Sequence, residues 1–374
     1  MTTKELPAKQ KSSSSRRMLR IALEVVFMVA ILAALFWYVG VGSVYNALIH
    51  IKVEYLLLAF LMYFCINLLF TVRLRRVLSK NGVKTSFGKT LLAQYGGMLT
   101  SDVTPGRSGY ILTPVYLRDQ NVPTSKSLSS VLGIQTFEFL IKVIGGIGAV
   151  IYLVKFVPPH IWNQLFPTQI AGVNIGLLIA LLGIGLMMTG AIVLAAFTWS
   201  KRAISLFERI ANSRFLKRFT GGLMGRLDEY KESAHSTSKA IPEIVVLTVA
   251  CWIIKGFEWY FLGYALGITQ IPWIAYFLIH PLVTALAFVP ITPAGIGVQE
   301  FGIIGIFGLI LNVPAHPELV APIAAFALLA RGLLVFEDLA GVPQIVKSTS
   351  LIFTHKNPRE PLEPKPGTPP LNPV

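Results

Sequence analysis

Arg107 stands in the hexapeptide TPGRSG, residues 104–109, flanked by Gly106 and Gly109. A guanidinium is a planar, permanently charged donor suited to two phosphate oxygens at once. Glycines remove side chains where backbone N–H groups could face a ligand. The chain repeats the wording 188 positions on as TPAGIG, residues 292–297, with Gln299 and Glu300 close behind. A half-helix starting after each motif would aim its positive end at the same place, and such ends bind phosphate. The chemistry on offer is therefore a phosphate site. Its candidate residues are Thr104, Pro105, Gly106, Arg107 and Gly109, with Thr292, Pro293, Gly295, Gly297, Gln299 and Glu300. The plainer alternative for Arg107 is a loop residue snorkelling to lipid head groups. Glu300 is either a stabilising first-turn acid or an intramembrane carboxyl that pairs with Arg107 or takes up a proton. Thr104 and Thr292 either cap the half-helices or satisfy local backbone groups.

More ionisable residues fall inside apolar runs. Glu138 and Lys142 are four apart and Lys255 and Glu258 three apart, so each pair shares a helix face. Each can neutralise itself, which lowers the cost of burial; the alternative is an ion pair that only holds the bundle together. Arg331 has Glu337, Asp338 or the central site as candidate partners, and Asp102 precedes the first breaker as a cavity candidate. His280, just before Pro281, reads as a packing or hydrogen-bonding residue. No metal-binding, nucleotide-binding or nucleophile-elbow spacing is present, so neither metal nor cofactor is expected. Cys65 and Cys251 lie within apolar runs, which argues against a disulfide.

These residues need a membrane to make sense. The chain is 54% hydrophobic and 14% charged, with a mean hydropathy of +0.65, the composition of a polytopic membrane protein. Its net charge of +15 is clustered beside apolar runs, the positive-inside pattern, and not spread as a nucleic-acid surface would be. Six spans are expected, near 21–41, 55–72, 128–154, 173–198, 241–266 and 319–336. Lys4 to Arg20 precede the first, with no small-residue cleavage site to make it a signal peptide. Arg73, Arg75, Arg76, Lys80 and Lys84 follow the second, and Lys201–Lys239 carries nine basic residues against four acids. Both termini are thereby placed in the cytoplasm, at the cell membrane.

That topology leaves 87–101 and 272–312 to enter and leave on one side each. The expected fold is an all-α polytopic membrane protein with six full spans and two Pro/Gly-broken re-entrant hairpins, arranged as an inverted repeat. Paired breaks of this kind mark the binding site of secondary transporters, because non-helical backbone at membrane depth must line a cavity or lie buried in protein. The alternative is that both breaks are ordinary interfacial loops, giving eight or more short crossings. The expected parts are a basic segment 1–20, a first repeat 21–155 with its hairpin at 87–118, and an external loop 156–172. A second repeat follows at 173–343, with a cytoplasmic loop 200–240 and a hairpin at 272–312. A Pro-rich tail, 344–374, is too short and polar to fold. The segment 200–212 has the spacing of a helix lying on the membrane surface.

The stretches LTSDVTPGRSGYILTPVYL and FVPITPAGIGVQEFGIIG, with Glu138 between them, resemble the lysylphosphatidylglycerol synthase transmembrane, flippase-like family over roughly 15–345. Members include the membrane half of the multiple peptide resistance factor and stand-alone relatives. The resemblance implies lipid translocation or head-group handling. Two positions depart from the family pattern: Tyr110 stands where a Glu is common, and Lys142 where an acid often follows. The family's synthases add a soluble aminoacyl-transferase domain, and these residues hold none, so no enzymatic activity is expected of them alone. A flippase for a phospholipid or lipid-linked precursor is the leading expectation. An accessory subunit partnering a lipid-pathway enzyme and a membrane-embedded head-group transferase are the alternatives.

Overall fold

A computed structural model describes residues 26, 29, 33, 34, 37, 39–104, 106–200, 202, 227–288, 292 and 295–354. Pro105, Pro293, more than half of the first expected span, nearly all of the surface segment 200–212 and the tail beyond 354 lie outside the described residues.

Helix α1 spans Val41–Ile49, α2 Val53–Lys80, α3 Phe87–Ser101, α4 Thr113–Tyr116, α5 Thr124–Phe156 and α6 Pro159–Leu165. A small antiparallel ribbon, Gln169–Ile170 against Val173–Asn174, leads into α7, Ile175–Trp199. There follow α8 (Leu227–Ser238), α9 (Ile241–Ala265), α10 (Trp273–Ala287), α11 (Val298–Ile310), α12 (Val320–Asp338) and α13 (Val342–Thr354). Among the described residues, five stretches are long and apolar enough to cross a membrane: Val53–Lys80, Thr124–Phe156, Ile175–Trp199, Ile241–Ala265 and Pro317–Ser348. Their outward side chains, among them Leu57, Ile151, Leu182 and Val246, are large, apolar and exposed, which suits lipid and not water. The chain is a multi-pass, predominantly helical membrane protein. Helices α3 and α10 have 15 residues each and α11 has 13, all short of the roughly 20 that a bilayer core needs.

Two boundaries differ from the sequence reading. Helix α2 does not stop at residue 72 but runs on to Lys80, so Arg73 is interior and only 3% exposed. At the other end, the first residues of the expected tail are helical, α13 running to Thr354, and α13 packs on α3. Gln344 Nε2 donates to the Tyr116 carbonyl at 2.6 Å, and Lys347 pairs with Asp119 at 2.8 Å. Gln344 and Lys347 find partners within the protein and Ser348 is buried, so polarity there did not mean solvent.

The interior is divided. One apolar cluster takes Tyr63 and Ile66 from α2, Phe139 and Val143 from α5, and Cys251 and Trp259 from α9. The other takes Leu74, Val77 and Leu78 from α2, Val131 and Ile134 from α5, and Ile244 from α9. On each helix the change of cluster falls at polar residues: Asn67, Thr71 and Arg73, then Gln135, Thr136 and Glu138, then Thr248, all in the interior. A polar band thus crosses three membrane-length helices at one level.

Pro281 shows how a break is tolerated beside that band. Lacking an N–H, it leaves the Phe277 carbonyl without its helical donor. Trp252 Nε1 from α9 donates there at 2.7 Å. Gly145 on α5 makes room for the ring, since a Cβ at that position would lie 2.6 Å from Pro281 Cγ.

Candidate functional site

A cavity of about 130 Å³ opens at the polar band, walled by α2, α3, the first break, α5, α9, α10, the first turn of α11 and α12. Three cations line it: Arg107 from the break, Lys142 from α5 and Lys255 from α9. The single carboxylate among its lining residues is Glu138, and this one is already engaged. Arg73 Nη2 holds its Oε1, while Lys142 approaches Oε2 at 3.4 Å. Arg73 is fixed in turn by Thr248 Oγ1 at 2.7 Å.

The other two cations are held from behind. Lys255 Nζ lies 2.7 and 2.6 Å from the two oxygens of Glu258, which is fully buried and does not reach the cavity. Arg107 Nη2 donates to Asp102 Oδ1 at 2.7 Å, and Asp102 also stays outside the wall. Arg107 and Lys255 thus face the space with their carboxylates behind them, which favours an anion there. Trp259 and His280, also in the lining, form an edge-to-face pair at 4.9 Å, and Thr284 Oγ1 lies 3.2 Å from His280 Nε2.

The break itself is built by glycine geometry. Gly106 has φ 60° and Arg107 φ 51°, a left-handed turn that throws the guanidinium inward. Gly109 is pressed against the α3 backbone, where any Cβ would collide with the Thr100 carbonyl group. Gly295 has φ 69°, and a Cβ there would meet the Ala287 backbone; Gly297 has φ 86°. These glycines let the chain double back closely on the preceding helix.

The expected open amides are therefore occupied. Gly109 N donates to Thr104 Oγ1 at 2.8 Å, Gly295 N to the Thr292 carbonyl at 3.2 Å, and Gly297 N to Glu300 Oε2 at 2.6 Å. No half-helix follows the first motif. A 3-10 turn over Ser108–Leu112 and the four-residue α4 stand there instead, so a helix-end field at this point has no source. The second motif does start a helix, α11.

Glu300 does not pair with Arg107. Its partner is Arg331, whose Nε donates to Oε1 at 2.9 Å, while Arg331 Nη2 reaches Gln299 Oε1, also at 2.9 Å. Of these three, Gln299 lines the cavity; Glu300 and Arg331 buttress it. Thr104 closes the first turn locally, and Thr292 is buried with an Oγ1 that meets no partner among the described residues.

Arg73, Tyr63, Tyr110, Gln135, Trp259 and His280 belong to the site or its support and were not singled out for it by sequence. For Arg73 a signal existed. Buried positions 63, 66, 67, 71, 74, 77 and 78 keep helical spacing straight through it, which a loop would not.

A sequence profile of the lysylphosphatidylglycerol synthase TM region matches residues 21–337. A UPF0104 membrane protein of Pyrococcus horikoshii is 22% identical over 298 residues, covering 74% of this chain and 84% of that protein.

Proposed function

The chain belongs to the family of the lysylphosphatidylglycerol synthase TM region, and on that premise we propose that it is a flippase. It moves an anionic phospholipid or lipid-linked precursor, whose phosphate sits in the cavity fronted by Arg107, Lys142 and Lys255. The observation that carries this reading is the ordering of charge: cations from three separate elements face one space, and Asp102 and Glu258 hold two of them from behind. Acyl chains would remain among the apolar outer side chains while the head group crosses.

The short helices fit the same reading. Helices α3 and α10 each descend 15 residues, break at a Thr-Pro-Gly-type motif and turn back. They act as re-entrant hairpins of an inverted repeat, one from each side, in the plasma membrane with both termini cytoplasmic. Alternating access then consists of rocking one repeat against the other. The protein works by transport and not by bond chemistry, with a lipid-pathway enzyme as the partner that supplies or consumes its cargo.

Lipid retention tests the site. Protein extracted into nanodiscs should keep an anionic phospholipid through washing, read by native mass spectrometry. Arg107→Gln and Lys142→Gln should each lose it. Equal retention by both variants and the native protein would refute the phosphate site.

A further inference from the structure

Asp102, at the first break, and Asp338, at the end of α12, place two carboxyl groups within hydrogen-bonding reach of each other in the interior. Both are buried, at 3% and 0% exposure. Asp102 Oδ1 accepts from Arg107, but its Oδ2 is buried and meets no hydrogen-bond partner among the described residues. Both oxygens of Asp338 lie against one donor, the Tyr63 hydroxyl, at 3.2 and 3.0 Å.

The charged and titratable groups facing the pair come from every packed element. Tyr63 lies on α2, Tyr95 on α3, Lys255 and Glu258 on α9, and Arg331 and Glu337 on α12. Lys255 is taken by Glu258 and Arg331 by Glu300, while Glu337 adds a further acid. Among the described residues Arg107 is thus the cation paired with this couple, through Asp102 alone. Two carboxylates in contact at low dielectric do not both stay ionised. An O–H on Asp338 would fill the acceptor left empty at Asp102 Oδ2.

We propose that Asp102 and Asp338 share a proton, and that this pair is the site through which proton binding is coupled to lipid movement. The coupling half rests on the phosphate site proposed above. A phosphate arriving at Arg107 draws the guanidinium away from Asp102. The uncompensated carboxylate then takes a second proton from water, and gives it up when the lipid leaves and Arg107 returns. Lipid and proton so favour each other's binding, by the reciprocity of linked equilibria.

Two measurements on the full chain in nanodiscs separate the halves. Infrared spectroscopy at neutral pH should show the carbonyl band of a hydrogen-bonded carboxylic acid. It should vanish in Asp338→Asn and in Asp102→Asn, and shift in Tyr63→Phe, which keeps both acids. A spectrum unchanged in these three variants overturns the shared proton. In weakly buffered solution with a pH indicator, short-chain phosphatidylglycerol should draw in about one proton per lipid bound, and none in Asp102→Asn. Lipid binding without proton uptake, or with a requirement for sodium in its place, overturns the coupling. The infrared band without any lipid binding leaves the shared proton standing and removes the phosphate site instead.

Discussion

Arg331 and Glu300 meet at 2.9 Å between α12 and α11, and the same carboxylate takes the Gly297 amide at 2.6 Å. One side chain thus closes the second break and ties it to the last membrane-length helix. Glu300→Gln should lose about 3 kcal/mol of stability, the usual cost of stranding one partner of a buried pair. Arg331→Met should cost a similar amount, and the double variant clearly less than the sum. Thermal unfolding in detergent, followed by tryptophan fluorescence, measures all three. Simple additivity would contradict the link.

Trp252 serves Pro281 by supplying the donor that proline lacks. Trp252→Phe keeps an aromatic, though smaller, side chain and orphans the Phe277 carbonyl, so it should cost about 1–3 kcal/mol. Adding Pro281→Ala restores an N–H within α10 and should recover part of that loss. If the second change only deepens the first, the carbonyl is not what Trp252 satisfies.

Gly109 has no room for a side chain against Thr100. Gly109→Ala should destabilise by about 1–3 kcal/mol through overpacking, whereas Gly185→Ala, on the exposed face of α7 with open space around it, should change stability by under about 0.5 kcal/mol. Comparable melting temperatures for the two would show that the first break is looser than its geometry implies.

Much of the architecture was legible because hydropathy reports it directly. The spans expected near 128–154, 173–198 and 241–266 correspond to α5, α7 and α9 within a few residues at most ends. Arg73 was misassigned because a run of basic residues after an apolar stretch obeys the positive-inside rule, and nothing local separates its first member from the rest. Its partner Glu138 lies 65 residues away on another helix. Helical spacing put Lys142 beside Glu138 and Lys255 beside Glu258. That both pairs border one cavity is a tertiary fact, set by how α5 and α9 pack.

The breaker motifs were readable as breaks but not in their details. Glycine-rich loops with open amides and glycine-rich loops that permit close chain reversal have the same composition. Only the positive φ values of Gly106 and Gly295 and the contacts of Gly109 with Thr100 separate the two cases. The partnering of Glu300 with Arg331, 31 positions on, follows from α12 crossing α11 and has no local signature. The start of the expected tail was misread for a related reason: Gln344 and Lys347 look solvent-facing until Tyr116 and Asp119 are seen to receive them.

Lipid translocation in liposomes tests the central claim most directly. Purified protein would be reconstituted with fluorescent anionic and zwitterionic phospholipids, and their appearance in the outer leaflet followed by dithionite quenching. The account predicts faster exchange of the anionic lipid with native protein, and a loss of at least about tenfold in Arg107→Gln, as expected if one charge-assisted phosphate contact of 1.5–3 kcal/mol is removed. Exchange by a folded Arg107→Gln protein at the native rate would contradict it.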